Sequence, residues 1–236
     1  MPLWQKNRIL KKITIAIDGF SSTGKSTLAK QLAKHLGYVY VDTGAMYRAV
    51  TLYAMQKGYV SENHLDKEAL VKALPNIKLQ FHFNETLGFA EMYVNGTNVE
   101  KEIRTLDVSR CVSKVAEISE VRSKLVASQQ EMGKNKAIVM DGRDIGTVVF
   151  PEAELKIFMN SSAQTRAERR FNELIEKGQH VTYEEVLQNV QERDYIDTHR
   201  EDSPLEKAVD AIEIDNSAMS KQEQFDLVMD LVGERV

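Results

Sequence analysis

The sequence of 236 residues has little of what several protein classes require. It holds a single cysteine, Cys111, which excludes an internal disulfide and suits a reducing compartment. No run approaches the ~20 apolar residues of a membrane-spanning helix, so no membrane partner is expected. Met1 to Lys12 carry positive charge but no apolar h-region, and no signal peptide is read there. A basic excess is missing too: the net charge of −4 argues against a general nucleic-acid surface, which needs a basic face. The five histidines lack metal-ligand spacing and Cys111 lacks a motif partner, so no zinc site is expected. Neither repeats nor a low-complexity linker interrupt the chain. What remains is ordinary: 42% apolar and 28% charged residues, in a chain long enough for one large or two small domains. A cytoplasmic enzyme is the default expectation.

What is present is concentrated near the start. Gly19-Phe20-Ser21-Ser22-Thr23-Gly24-Lys25-Ser26 is a complete G-x-x-x-x-G-K-[ST] phosphate loop. It follows Ile13 to Asp18, whose β-branched residues read as a buried strand, and Thr27 to Leu36 follow with an apolar stripe at helical spacing. Strand, glycine loop and helix together turn a short pattern into evidence. Successive backbone N–H groups in such a loop form a nest for phosphate oxygens, and the helix N-terminus adds its positive end. Lys25 is expected to reach the β and γ phosphates, and the Ser26 hydroxyl to ligate Mg2+. The loop predicts binding of a nucleoside triphosphate.

Downstream, Tyr38 to Val41 reads as a second strand and Ala45 to Lys57 as a helix, a spacing of about 25 residues that suits a parallel α/β sheet. From Tyr59 to about Thr105 the rhythm breaks: a polar helix over Leu65 to Leu74 stops at Pro75. Strand-like runs Ile77 to Phe83 and Ala90 to Val94 then lead into the hairpin signal Asn95-Gly96. This segment predicts an inserted antiparallel lobe. One long helix is expected from Leu106 to Met132, then strands over Ala137 to Met140 and Leu155 to Met159. A helix from Ala163 to Lys177 follows, then another from Thr182 to about Ile196, opened by a Thr182/Glu185 capping box. Ala211 to Asp215 and Lys221 to Leu231 close the chain as strand and helix.

Four strand ends are polar in the same way: Asp18-Gly19, Asp42-Thr43-Gly44, Asp141-Gly142 and Asn160-Ser161-Ser162. In an open parallel sheet these ends line the ligand crevice. Asp141 has the form of a strand-end carboxylate that holds magnesium. Arginines recur at 48, 122, 143, 166, 169, 170, 193 and 200, and the guanidinium fork matches phosphate oxygens.

These residues resemble the bacterial cytidylate kinase family. The likeness is carried by the phosphate loop, Asp42 to Arg48, Gly96 to Thr105 with Glu102-Ile103-Arg104, Arg166 with Arg169-Arg170, and Glu192-Arg193-Asp194 through Asp197 to Arg200. Its most specific part is the block from Asp141 to Pro151. The resemblance implies a P-loop NTPase fold with a five-stranded parallel sheet, an inserted antiparallel β/α monophosphate-binding lobe and a helical lid. Its core would comprise 13–58, 106–161 and 201–236, its lobe 59–105 and its lid 162–200. It implies transfer of a phosphoryl group from ATP, with Mg2+, to CMP or dCMP. Ser113, Arg122 and Asp144 fall where the family holds cytosine, and Arg193 and Asp197 where it holds the sugar. Arg48, Arg143 and Arg200 fall at the acceptor phosphate, with Thr43 and Tyr47 beside them. Lys25, Arg143, Arg166 and Arg170 are the expected catalytic side chains, and Gly19 to Thr27 the donor-phosphate site. Thr43 replaces a common serine, and Ile196 stands where some members carry a further basic residue. A monomer is expected.

Three neighbouring classes fit less well. A GTP-binding switch needs Asn-Lys-x-Asp, and the nearest string, Asn135-Lys136-Ala137-Ile138, lacks the aspartate. A nucleic-acid-dependent ATPase is disfavoured by acidity and by Gly142 after Asp141. A kinase of UMP or shikimate is the serious alternative. For the lid, Arg166, Arg169 and Arg170 are expected to repel one another, offset in part by Glu168, Glu173 and Glu176.

Overall fold

The structure, a computed structural model, describes residues 11–236, so most of the Met1 to Lys12 stretch lies outside the described residues. Six consecutive buried residues, Thr14–Gly19, form β1, as expected of a strand covered on both faces. The chain enters α1 (Lys25–Leu36) through Gly24 at φ 92° and leaves at Gly37 at φ 67°. β2 (Val39–Asp42) runs directly into α2 (Thr43–Gln56). That helix starts two residues before the Ala45 expected from sequence, because the Asp42 carboxylate caps it, accepting from the Ala45 N–H at 2.9 Å.

Residues 59–105 leave the main sheet. β3 (Val60–Ser61) and β4 (His64–Leu65) make a two-residue pairing too short to show as a sequence pattern. α3 (Lys67–Ala73) follows, capped by Asp66. β5 (Leu79–Asn84), β6 (Phe89–Val94) and β7 (Thr97–Asn98) form an antiparallel sheet. Asn95 and Gly96 join the last two with φ of 49° and 84°, the positive pair that a two-residue hairpin turn requires.

The single helix expected from Leu106 to Met132 is two, α4 (Leu106–Ala116) and α5 (Ser119–Met132). Ile118 breaks the run with ψ 112°. Val115, Ile118, Val121 and Leu125 all enter one core, so the apolar period carries no trace of the break. β8 (Ile138–Asp141) and β9 (Leu155–Asn160) are joined through a π-helical turn, Ile145–Val149, that the sequence reading missed. α6 (Ala163–Glu176), α7 (Tyr183–His199), β10 (Ile212–Asp215) and α8 (Lys221–Gly233) complete the fold, with the Thr182/Glu185 capping box in place before α7.

The main sheet is parallel, in the order β10-β9-β1-β8-β2. The chain leaves β1 for the edge at β2, returns to fill the gap with β8, then crosses to β9 and β10. Connections diverging from the carboxyl end of β1 open a crevice there. One apolar cluster packs α1 and α8 on the sheet. A second joins Leu70, Met92 and Ile103 of the insertion to α2, α4 and α5. α6 and α7 share a third. Among the described residues no helix is long and apolar enough to cross a membrane.

Candidate active site

The phosphate loop is shaped by its contacts to neighbouring strands. Gly19 sits at φ 138°, and a Cβ there would stand 2.0 Å from the Met159 carbonyl oxygen of β9. The Lys25 ammonium donates to the Phe20 carbonyl and to Thr23 Oγ1 at 3.3 Å. Burial first, and then the Arg143 guanidinium, pull it well below the usual lysine range, against the pull of Asp141 and Asp18. Asn216, just beyond β10, braces the loop by donating from Nδ2 to the Thr23 carbonyl at 2.6 Å. Among the described residues the buried Ser21 hydroxyl has no hydrogen-bond partner. Gly19, Phe20 and Thr23 form the back of the loop, with the Phe20 ring edge-on to Phe158 and under the Arg166 guanidinium at 5.0 Å. Ser21, Ser22, Gly24, Lys25, Ser26 and Thr27 face the crevice.

Beside the loop, Asp141 collects hydroxyls. Ser26 Oγ donates to its Oδ2 at 2.9 Å and the Tyr40 hydroxyl to its Oδ1 at 2.8 Å, while Thr43 Oγ1 donates to its carbonyl at 2.7 Å. Burial, then the charge of Asp42, push the Asp141 carboxyl up to about 6. A hydroxyl and a carboxylate side by side are hard oxygen donors of the kind magnesium accepts while keeping water and phosphate oxygens for its other positions. No group of three or more His, Cys, Asp or Glu suited to a metal occurs among the described residues.

The crevice is a cleft of about 780 Å³ in which nine cationic side chains face four carboxylates. In a chain of net charge −4 this is a local reversal of sign, and a low-dielectric cleft focuses such a field on anionic ligands. Next to it lies a smaller hollow of about 50 Å³ that brings together Thr43, Tyr47, Arg48, Ser113, Arg122, Arg143, Asp144, Arg193, Asp197 and Arg200. Asp144 pairs with Arg122 through Oδ2, and among the described residues no protein donor reaches its Oδ1. Burial raises the Asp144 carboxyl above its usual range, with Arg122 and Arg200 opposing. Asp197 accepts from Ser113 Oγ at 3.1 Å and from Arg143 Nε at 2.8 Å. Burial would raise it, but Arg143, Arg193 and Arg200 hold it below the usual carboxylate range. Arg122 Nε has no hydrogen-bond partner and only the Asp202 carboxylate at 3.6 Å, and among the described residues Tyr47 Oη, Arg193 Nε and Arg200 Nη2 are buried here with no partner at all. Buried polar atoms are almost always paired, so these three mark a place built for a polar ligand.

The lid arginines depart from the sequence expectation. Arg166 forms a two-pronged pair with Asp194 of α7, at 2.9 and 2.5 Å, and donates to the Ser161 and Ser21 carbonyls, so it stands behind the loop instead of in the cleft. Arg169 turns to the side chain and carbonyl of Asn216. Only Arg170 of the three lines the cleft, held by Glu173 and by the Arg104 carbonyl, each at 2.8 Å. The three are therefore not a self-repelling cluster. Asp194 and Asn216 neutralise or satisfy two of them from distant parts of the chain, and neither Glu168 nor Glu176 pairs with any of them among the described residues.

Sequence reasoning named Asp18 only as a polar strand end and missed other residues of the site. Asp18 is buried and accepts from the Ile145 and Gly146 N–H groups at 2.8 and 2.7 Å, tying the π-helical turn to the root of the phosphate loop; burial pushes it up to about 7. Lys30, Lys101 and Arg104 line the cleft. Of these, Lys101 and Arg104 lay in a run already singled out, Gly96 to Thr105, whereas Lys30 carried no such signal.

A phosphate loop at the end of the first strand of a parallel sheet, opening on an arginine-lined hollow, defines a P-loop phosphotransferase. The family model described as Cytidylate kinase matches residues 15–234. The cytidylate kinase of Flavobacterium johnsoniae is 72% identical over 227 residues, covering 96% of this chain and 99% of its own. That of Flavobacterium psychrophilum is 70% identical over 224 residues, covering 95% and 99%. A solved structure of an uncharacterized protein from Eubacterium ventriosum superposes with a TM-score of 0.50 at 12% identity, over 95% of this chain and 100% of its own, and speaks to the fold alone. The chain belongs to the cytidylate kinase family.

Proposed function

We propose that this chain transfers the γ-phosphoryl group of ATP to CMP or dCMP, giving ADP and CDP or dCDP. The observation that carries this reading is the hollow beside the phosphate loop, where ten candidate acceptor residues and three orphaned polar atoms converge. The loop backbone and Lys25 hold the donor phosphates, and Ser26 with Asp141 hold Mg2+, which when bound neutralises phosphate charge. Arg48, Arg143 and Arg200 take the acceptor phosphate, Arg193 and Asp197 the sugar, and Ser113, Arg122 and Asp144 the cytosine. An acceptor phosphate oxygen is already anionic, so positioning and charge neutralisation suffice without a side-chain base. Arg166 acts from behind the loop, fastening α6 to the Ser21 carbonyl. A coupled ADP-release assay over CMP, dCMP, UMP, AMP and shikimate should give its highest kcat/KM on CMP or dCMP; faster turnover of AMP or shikimate would overturn the reading.

Base choice follows from Asp144. Its Oδ1 can accept from the exocyclic amino group of cytosine, whereas the uracil carbonyl would leave two acceptors facing each other. Asp144→Ala should therefore lower kcat/KM for CMP more than for UMP. An equal fall on both substrates would make Asp144 structural.

Residues 162–200 act as the lid. Arg170 is held by Glu173 and a carbonyl until phosphate oxygens compete for it, so closure is favoured when both nucleotides are bound. Arg170→Ala should lower turnover more than it weakens CMP binding. The segment should resist proteolysis with ATP plus CMP together and with neither alone; equal cleavage in all four conditions would refute a lid.

A further inference from the structure

Three parts of the site meet at one short turn. Glu102–Arg104, a single 3-10 turn, is where the chain leaves the inserted lobe for α4. The Arg104 guanidinium bridges two carboxylates: Nη2 lies 2.8 Å from both Asp42 Oδ2 and Glu100 Oε1, and Nε donates to the same Glu100 oxygen at 3.0 Å. Asp42 is the cap of α2, the helix that carries Tyr47 and Arg48. The other Glu100 oxygen accepts from the Met92 N–H of β6, so the bridge reaches the lobe sheet. The turn's two consecutive carbonyls face the phosphate-directed arginines. Ile103 accepts from Arg48 at 3.4 Å and Arg104 accepts from Arg170 at 2.8 Å.

With both carboxylates on it, the Arg104 charge is already neutralised, and Asp42 with Glu100 hold it firmly protonated despite its burial. It is therefore poorly suited to bind a phosphate itself. We infer that Arg104 is a positioning residue for phosphoryl transfer: by bridging Asp42 and Glu100 it fixes the turn whose carbonyls set where Arg48 and Arg170 stand. The inference rests on the reading of Arg170 given above. A carbonyl that moves with the turn carries Arg170 with it, and misplacements of about 1 Å at a reacting centre cost ~10²-fold in rate.

The test is a double-mutant cycle. Arg104→Lys keeps the charge but replaces the planar fork by a single ammonium that cannot bridge both carboxylates in the same geometry. It should lower kcat roughly 10- to 100-fold, with the KM for ATP within about twofold. In an Arg170→Ala background the same substitution should cost several-fold less than in the parent enzyme, because one of the two groups it positions is gone and only the Arg48 share of the effect remains. Asp42→Asn, which retains an oxygen for the Ala45 N–H while removing the charge that Arg104 meets, should show the same non-additivity and serves if Arg104→Lys does not fold. Fully additive losses, or an Arg104→Lys enzyme with wild-type kcat, would overturn the positioning role. Wild-type turnover of Arg170→Ala alone would instead overturn the reading of Arg170, so the two failures are distinct.

Discussion

Lys25→Ala should lower turnover by on the order of 10²-fold or more while the chain still folds. The ammonium is buried in the loop, where its neighbours are the Phe20 carbonyl and Thr23 Oγ1. Arg143 stands close enough to weaken its charged form, and Asp141 and Asp18 only partly oppose this. A cation held in such surroundings gains most when phosphate oxygens arrive, and more still as charge develops during transfer. Removing it takes away a charge the transition state uses, and no other lysine of the loop can replace it. The core beneath does not depend on it, since α1 and β1 pack through Leu28, Ala29, Leu32, Ile15 and Ile17. Steady-state kcat at saturating ATP and CMP, read beside a denaturant titration of both proteins, separates the two effects. Turnover within a few-fold of the parent enzyme would sink the assignment of this loop.

Gly19→Ala should be far more damaging to stability, by about 4 kcal/mol or more, or should prevent folding outright. Its Cβ would lie 2.0 Å from the Met159 carbonyl oxygen and 2.9 Å from the carbonyl carbon, both backbone atoms of the adjacent strand β9. Neither can retreat without breaking the pairing that aligns Gly19 with Met159. Gly24→Ala is the informative partner. Its Cβ would meet only Asn216 Nδ2 at 3.8 Å, so the cost is that of holding a non-glycine residue at positive φ, about 1–2 kcal/mol. Denaturant midpoints of the two variants should therefore differ widely although both change a glycine of one loop. Equal midpoints would mean that β9 does not approach β1 as closely as described here.

Much of this architecture could be read from local pattern. The phosphate loop, the five parallel strands and the Asn95-Gly96 hairpin each depend on residues near in sequence, so each left a local signature. The ten candidate acceptor residues were legible through family resemblance, and the fold gathers them around one hollow although they span Thr43 to Arg200. Where the reading failed, the deciding contact was distant. The expected helix from Leu106 to Met132 is broken at Ile118 because tertiary burial of that side chain overrides an unbroken apolar period. The lid arginines were expected to repel because Asp194 and Asn216, which engage Arg166 and Arg169, lie 28 and 47 residues away.

Resemblance to the cytidylate kinase family supplied the acceptor, whereas the sequence by itself determined a triphosphate-binding loop on a parallel α/β sheet. Those features follow from periodicity, from glycines where positive φ is needed, and from charged residues at strand ends, all written within a few residues of one another. Only the tertiary structure decided which cations face the cleft and which are already paired. Arg170 is in the cleft and Arg166 behind the loop, although both lie on α6, because each guanidinium is held by different acceptors, Arg166 by Asp194 and Arg170 by Glu173 and the Arg104 carbonyl. Which acceptors each one meets depends on how α7, β10 and the turn at Glu102–Arg104 pack against it, and no local pattern records that packing.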